Sequence, residues 1–215
     1  MEQVLSMLAA AAVGTVAGEL TRRQLITLRY RRAQEREITA PGRRLWVPVA
    51  AGVALALLGA ALWPTQGAML VALAPLALLG PWLAAVDLDV QRLPDKIIYP
   101  LLGWQAFAVI MISLATGDPA LAWRAVAGGL IAFIGFELLH LCSRGALGFG
   151  DVKLGALIGM GASMISWAAL WWAFMIGSVS ALIWALIKKP AGDQFAFGPW
   201  LLVSALAAVT VTSVA

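Results

Sequence analysis

Residues 154–187 read LGALIGMGASMISWAALWWAFMIGSVSALIWALI, 34 positions without a charge. As one helix this run would be on the order of 50 Å long, against a hydrocarbon core of about 30 Å. A single crossing cannot absorb that length, so the run predicts a hairpin of two membrane helices. The break is expected near GMGASMIS, 159–166, where two glycines and two serines interrupt the apolar pattern. The flanks agree. Lys153 precedes the run and Lys188 and Lys189 follow it, which puts both ends of the hairpin on the basic side of a membrane.

Working outward from this hairpin, further uncharged or nearly uncharged runs cover 3–18, 45–63, 68–86, 97–116, 125–142 and 197–215. Each fits one crossing of roughly 20 residues. The chain is therefore expected to be an all-α polytopic membrane protein with about eight transmembrane elements. It forms a single membrane domain over 1–215, interrupted by a basic polar loop at 20–44. A composition of 62% hydrophobic and 12% charged residues, with mean hydropathy +0.89, excludes an ordinary soluble domain. The net charge of +4 is not a nucleic-acid footprint, because the basic residues sit between the apolar runs and there they set orientation. With the basic loops inside, every Lys and Arg except Arg124 is cytoplasmic and both termini are external. The first run has no basic residue ahead of it and Arg22 and Arg23 behind it, the reverse of a cleaved signal peptide. The single cysteine, Cys142, excludes an internal disulfide and a cysteine-based zinc site.

Two carboxylate sites stand at the membrane edge. In AAVDLDVQRLPDKIIYP, 84–100, Asp87, Asp89 and Asp95 fall where the third span ends, and Pro94 stops regular helix there. Asp87 follows the apolar run without a gap and should sit lowest in the membrane; Asp89 and Asp95 are placed in interfacial water. In RGALGFGDVKLGAL, 144–157, Asp151 enters from the same face, behind Gly148, Phe149 and Gly150. Glycines there let the chain turn tightly and approach a substrate backbone. Two carboxylates held close cannot both ionise, so they share a proton, and such a pair can act as base toward water and acid toward a leaving amine. That is aspartyl peptidase chemistry. A helix starting at Asp151 favours its charged form and makes Asp87 the choice for the protonated partner, while a coupled pair titrates as a unit, so the microscopic assignment stays open at this point. Taken alone, Asp151 reads equally as a helix N-cap and Asp87 as a span end. Lys153 either neutralises the carboxylates or marks the membrane edge, and Asp95 reads as a solvated charge or a cap after Pro94. Glu137 and His140, one turn apart, read as an internal hydrogen-bonded pair, because two ligands are too few for a metal site. The tryptophans, Trp171 and Trp172 among them, read as interfacial anchors and packing.

VDLDVQRLPDKIIYPLL and GALGFGDVKLGALIGMG together resemble the prepilin peptidases, the type IV leader peptidases of the GxGD class of intramembrane aspartyl proteases. FAFGPWLL, 195–202, is similar to the family's Phe-Gly-Pro segment opening the last span, so the likeness extends from about residue 65 to the end. The resemblance implies that Asp87 and Asp151 are the catalytic pair, with Gly148, Phe149, Gly150, Lys153, Asp89, Asp95 and Pro94 as support. It implies no cofactor and no metal. The implied partners are pilin-like precursors in the cytoplasmic membrane of a prokaryote, cut on the cytoplasmic side after a short basic leader, with Asp89 and Asp95 attracting the leader's charge. Many bacterial members carry an extra cytoplasmic domain with two C-x-x-C pairs, associated with methylation; its place here holds only the basic loop. The resemblance is therefore to a peptidase-only form. A small proton- or cation-coupled transporter and a non-catalytic scaffold are the rival readings. Against the transporter, the carboxylates lie at one membrane face rather than at the midplane. The sequence carries no signal for oligomeric state.

Overall fold

The structure is a computed structural model that describes residues 2–35, 37, 39, 41–63, 65–143, 147–188 and 196–214. These residues form eight α-helices and no strand: α1 Glu2–Ile26, α2 Trp46–Leu62, α3 Gly67–Val90, α4 Asp95–Thr116, α5 Pro119–Cys142, α6 Phe149–Ile165, α7 Trp167–Lys188 and α8 Gly198–Val214. Among the described residues, α1, α3, α4, α5 and α7 are long and apolar enough to cross a membrane, and α2 and α8 are shorter apolar helices. The polytopic all-helical expectation holds. One boundary differs: α1 runs on to Ile26, so the first part of the expected 20–44 loop is helix. Arg36, Arg144 and Lys189, Pro64 of the α2–α3 connection, Gly145 and Ala146 of the glycine motif, and Phe195 lie outside the described residues.

The long uncharged run breaks at its expected place, at the last residue of the 159–166 interval. Ser166 is extended (φ −163°, ψ 160°), and its Oγ accepts the N–H of Ala169 at 3.0 Å, which caps α7. On the other side of the break, Arg124 of α5 donates through Nε to Ser163 O and through Nη2 to Met164 O, both at 2.7 Å. Those carbonyls belong to the last turn of α6 and have no intrahelical partner. The basic residue that orientation alone left on the opposite face thus has a local task. α5 begins on an equally legible signal, Asp118 accepting the Ala120 N–H at 3.0 Å ahead of Pro119 at the first helical position.

Close backbone approach fixes where α6 lies. A Cβ on Gly159 would come within 2.6 Å of the Gly128 carbonyl oxygen, so α5 and α6 meet at a distance that only a missing side chain allows. The buried core gathers round α3, α6 and α8, with Leu83, Val86, Leu154, Leu157, Ile158 and Leu201 at or below 1% exposure. Large apolar side chains such as Val13, Ile131 and Trp171 point outward, as expected where lipid is the solvent. Cross-helix contacts show that neighbouring helices alternate in direction. Arg31 after α1 and Arg44 before α2 both reach Asp89 of α3. Asp95 of α4 meets Lys153 of α6, and Gly198 of α8 meets Asp87 of α3. The ends of α1 and α3 and the starts of α2, α4, α6 and α8 therefore share one face, and both carboxylate sites lie on it.

Candidate active site

Asp87 lies in the last turn of α3 and Asp151 in the first turn of α6, 3% and 7% exposed. Helices far apart in sequence bring them close enough for their charges to interact. Both line one open cavity of about 1100 Å³ on the shared face. Asp151 is not a helix cap. Gly148 holds the N-cap position with extended backbone, and Asp151 stands three residues further on, its own N–H donating to Gly148 O at 2.9 Å. Asp151 Oδ1 is buried and has no hydrogen-bond partner among the described residues. Asp87 Oδ2 accepts the backbone N–H of Gly198 at 2.9 Å. No salt bridge to either carboxylate occurs among the described residues.

Two glycines make this approach possible. A Cβ on Gly198 would stand 3.0 Å from Asp87 Oδ2 and 3.6 Å from Leu154 Cδ2, so α8 begins in a gap between α3 and α6. A Cβ on Gly150 would meet Leu93 Cβ at 2.9 Å, so the first turn of α6 packs directly on the α3–α4 loop. The glycine-flanked entry to Asp151 is used for close packing beside the carboxylate.

The other two aspartates of the loop are handled differently, and here the structure corrects the sequence reading of Asp89. Its side chain is 4% exposed, not solvated. Arg31 grips it with two bonds, Nε to Oδ2 at 2.9 Å and Nη2 to Oδ1 at 2.7 Å. Arg44 approaches at 3.4 Å, and the Tyr30 hydroxyl donates to the same carboxylate. The reason is that Tyr30 and Arg31, just after α1, and Arg44, just before α2, all lie against the end of α3. A neutralised, buried Asp89 has no free charge to offer a basic peptide. Asp95 does lie at the surface, its side chain 58% exposed, and binds Lys153 Nζ at 2.6 Å. It occupies the first position of α4, with Pro94 as the extended N-cap residue and no side-chain cap. Lys153, 10% exposed at its side chain, is thus engaged by Asp95 and lies 4.8 Å from the ring centres of both Tyr99 and Phe149.

Glu137 and His140 do not form the expected pair. His140 Nδ1 is 2.6 Å from Leu147 O and its ring faces Phe149, whereas Glu137 Oε2 has no hydrogen-bond partner among the described residues. Leu147, whose N–H donates to Ser143 Oγ at 3.1 Å, lies within reach of His140 first. The same cavity is also lined by Arg23, Arg29, Arg31, Arg32, Arg92 and Lys96. Arg92 donates to Glu35 at 3.0 and 3.1 Å and to Tyr30 O at 3.1 Å, which fastens the segment after α1 to the α3–α4 loop. That guanidinium holds the Glu35 carboxyl below the usual carboxylate range. Sequence reasoning missed Tyr30, Arg31, Arg44 and the Gly198 amide as neighbours of the aspartates. Only the alternation of basic and aromatic residues in TLRYRR, 27–32, hinted at the first two.

A family model described as the type IV leader peptidase family matches residues 72–186, a stretch that includes Asp87 and Asp151. The chain belongs to this family. Among its curated relatives is a prepilin leader peptidase/N-methyltransferase of Dickeya chrysanthemi, 36% identical over 57% of this chain and 44% of the relative. A type 4 prepilin-like proteins leader peptide-processing enzyme of Escherichia coli O78:H11 is 34% identical over 71% of this chain and 56% of the relative. A prepilin leader peptidase/N-methyltransferase of E. coli K12 is 30% identical, over 58% of this chain and 56% of the relative. The chain spans about half the length of the curated relatives it matches. No solved structure matches. Family membership favours the peptidase reading of the carboxylates over the transporter one.

Proposed function

We propose that the chain is an aspartyl endopeptidase that removes the short basic leader from type IV pilin-like precursors. The observation that carries this reading is the burial of Asp87 and Asp151 in the lining of one open cavity, with no salt bridge to either among the described residues. A structural carboxylate in such a place would be paired, as Asp89 is.

In the proposed reaction the pair shares one proton. The Gly198 amide aimed at Asp87 supports the ionised form there, and Asp151, with Oδ1 free of donors, holds the proton, the reverse of the assignment made from the helix dipole alone. Asp87 takes a proton from water as the water oxygen attacks the scissile carbonyl carbon, and Asp151 gives its proton to the carbonyl oxygen. The tetrahedral diol then collapses. The C–N bond breaks, Asp87 returns its proton to the leaving amine, and the diol hydroxyl returns one to Asp151. Gly150 lets the first turn of α6 pack directly on Leu93, and Lys153 and Asp95 tie α6 to α4, so that the carboxylate keeps its place.

The excess of Lys and Arg on the carboxylate face supports placing that face in the cytoplasm, where a leader preceding a membrane helix would lie. The 27–45 connection carries no cysteine, and we expect cleavage by this chain without methylation. The test is to incubate membranes containing the chain with a pilin-like precursor and to sequence and weigh the product's N-terminus. The expected product has lost the basic leader and has an unmodified amine. An intact precursor overturns the peptidase reading, and a methylated amine overturns the peptidase-only part of it.

A further inference from the structure

A second hollow, of about 340 Å³, lies in the apolar body of the molecule. It is walled by α2 and α3 on one side and α8 on the other, with α6 as its floor, and every residue lining it is apolar. Its position relative to the carboxylates is set by helical periodicity. On α3 the lining residues Leu73, Ala77, Gly80 and Ala84 repeat at four, three and four. Three residues beyond Ala84 stands Asp87, on the same stripe. On α6 the lining residues Ile158 and Ala162 continue upward to Asp151, seven residues before Ile158. On α8, Val209, Ala205 and Leu202 lead to Gly198, whose N–H holds Asp87. Seven residues are two helical turns and return a side chain to within about 20° of the same face. Three stripes that line the hollow therefore converge on Asp87, Asp151 and the amide between them.

The geometry points to this groove as the seat of the precursor's own apolar helix, an inference that rests on the leader-peptidase reading. The carboxylate pair stands at a junction. On one side is the open cavity with its basic and acidic rim, and on the other a groove with no polar lining. A substrate whose polar leader meets an apolar helix at the scissile bond matches that junction. From Leu73 to Leu88 the α3 wall is about 22 Å long, or about four turns of a bound helix. Much of the lining is Ala and Gly, which lets a second helix backbone approach closely. A lipid tail gains nothing from small residues and has no reason to end at a carboxylate pair.

The experiment is disulfide crosslinking in membranes, with Cys142→Ser as the background. Single cysteines are placed at Ala50 on the α2 wall and Leu206 on the α8 wall, with Ile131 on the outer face of α5 as the control. Each is combined with Asp151→Asn, to retain the precursor, and tested against a precursor with one cysteine walked along its apolar helix. Crosslinks from 50 and 206 that recur every three or four precursor positions, and none from 131, are expected. A second arm measures KM for the full precursor. Ala50→Trp, which fills the groove, is expected to raise it about tenfold, and Ile131→Trp to leave it unchanged. The Cys142→Ser chain is first shown to cut the precursor. If it does not, the leader-peptidase reading falls and takes the groove with it. If it cuts, but crosslinks form equally from 131 or nowhere and Ala50→Trp leaves KM unchanged, the groove assignment alone is wrong.

Discussion

Asp87 and Asp89 are two residues apart on the last turn of α3, both withdrawn from water, and the structure treats them in opposite ways. Asp89 receives two guanidinium groups and a phenol, so each oxygen has a charged donor. Asp87 receives one backbone N–H and faces another carboxylate. Burying an ion is costly, and a protein that supplies full compensation at one position and almost none two residues away is not short of cations. Arg23, Arg29, Arg32 and Lys96 line the same cavity as Asp87 and Asp151. Compensation marks Asp89 as part of the scaffold, and its lack marks Asp87 and Asp151 as groups kept for proton transfer.

The comparison breaks first on activity. Asp87→Asn and Asp151→Asn are each expected to lower kcat by roughly a thousandfold or more, because neither amide can take up or return a proton. Asp87→Asn removes the uncompensated buried charge and Asp151→Asn replaces a protonated carboxyl by a neutral group of the same shape, so the folded protein should be as stable as wild type or more so, read as the melting temperature in detergent. Loss of cleavage together with loss of fold would place both residues in the scaffold. Asp89→Ala should do the reverse. It takes from Arg31, whose side chain is 1% exposed, the carboxylate that balances its charge and should cost about 3 kcal/mol of stability. The protein that does fold should cleave within a few-fold of wild type. If Asp89→Ala is fully stable and inactive, the division between the two aspartates fails.

A smaller contrast lies in the Asp95–Lys153 pair, whose halves are unequally exposed. Removing the exposed half strands the buried one. Asp95→Ala leaves an ammonium at 10% side-chain exposure without its carboxylate and should cost about 1–2 kcal/mol. Lys153→Met leaves Asp95 in water and replaces the stem by one of similar length, so it should cost less than about 1 kcal/mol. Thermal melts of the two variants side by side test the order, and the opposite order would mean that Lys153 is held mainly by Tyr99 and Phe149.

The helices were legible because lipid demands length and apolarity, and 154–187 is too long for a single crossing. Asp87 and Asp151 were legible because each abuts an apolar run at the same face, a matter of position along one chain. What escaped depends on chain that leaves the local pattern. Nothing in TLRYRR says that the segment turns back toward α3 instead of lying on lipid, so Asp89 read as a solvated charge. Gly198 escaped as a donor because a backbone amide has no signature in residue type. Glu137 and His140 show the same limit from the other side, since helical spacing made them neighbours and the Leu147 carbonyl supplied a nearer acceptor.

The smallest expected effect concerns the outer latch, Glu35 with Arg92, which holds the segment after α1 over the α3–α4 loop. Glu35 is kept below the usual carboxylate range by the guanidinium that binds it. For a carboxyl lowered on folding, the contribution is complete above the ordinary glutamate value and is lost as pH falls through the lowered one. The latch should therefore be at full strength at neutral pH and weaken in the acid range, by at most about 1 kcal/mol because both side chains remain partly in water. Hydrogen exchange of the 27–35 amides should quicken as pH falls through that window, after correction for intrinsic rates, and should show no such step in Glu35→Gln. Asp89 lies deeper and has more donors, so its grip on Arg31 should outlast the latch as the solution is acidified. The segment would then loosen at Glu35 while still anchored at Arg31. Simultaneous release of both would mean that the segment is held as one unit, and that the ranking of the aspartates by compensation stops at the edge of the membrane.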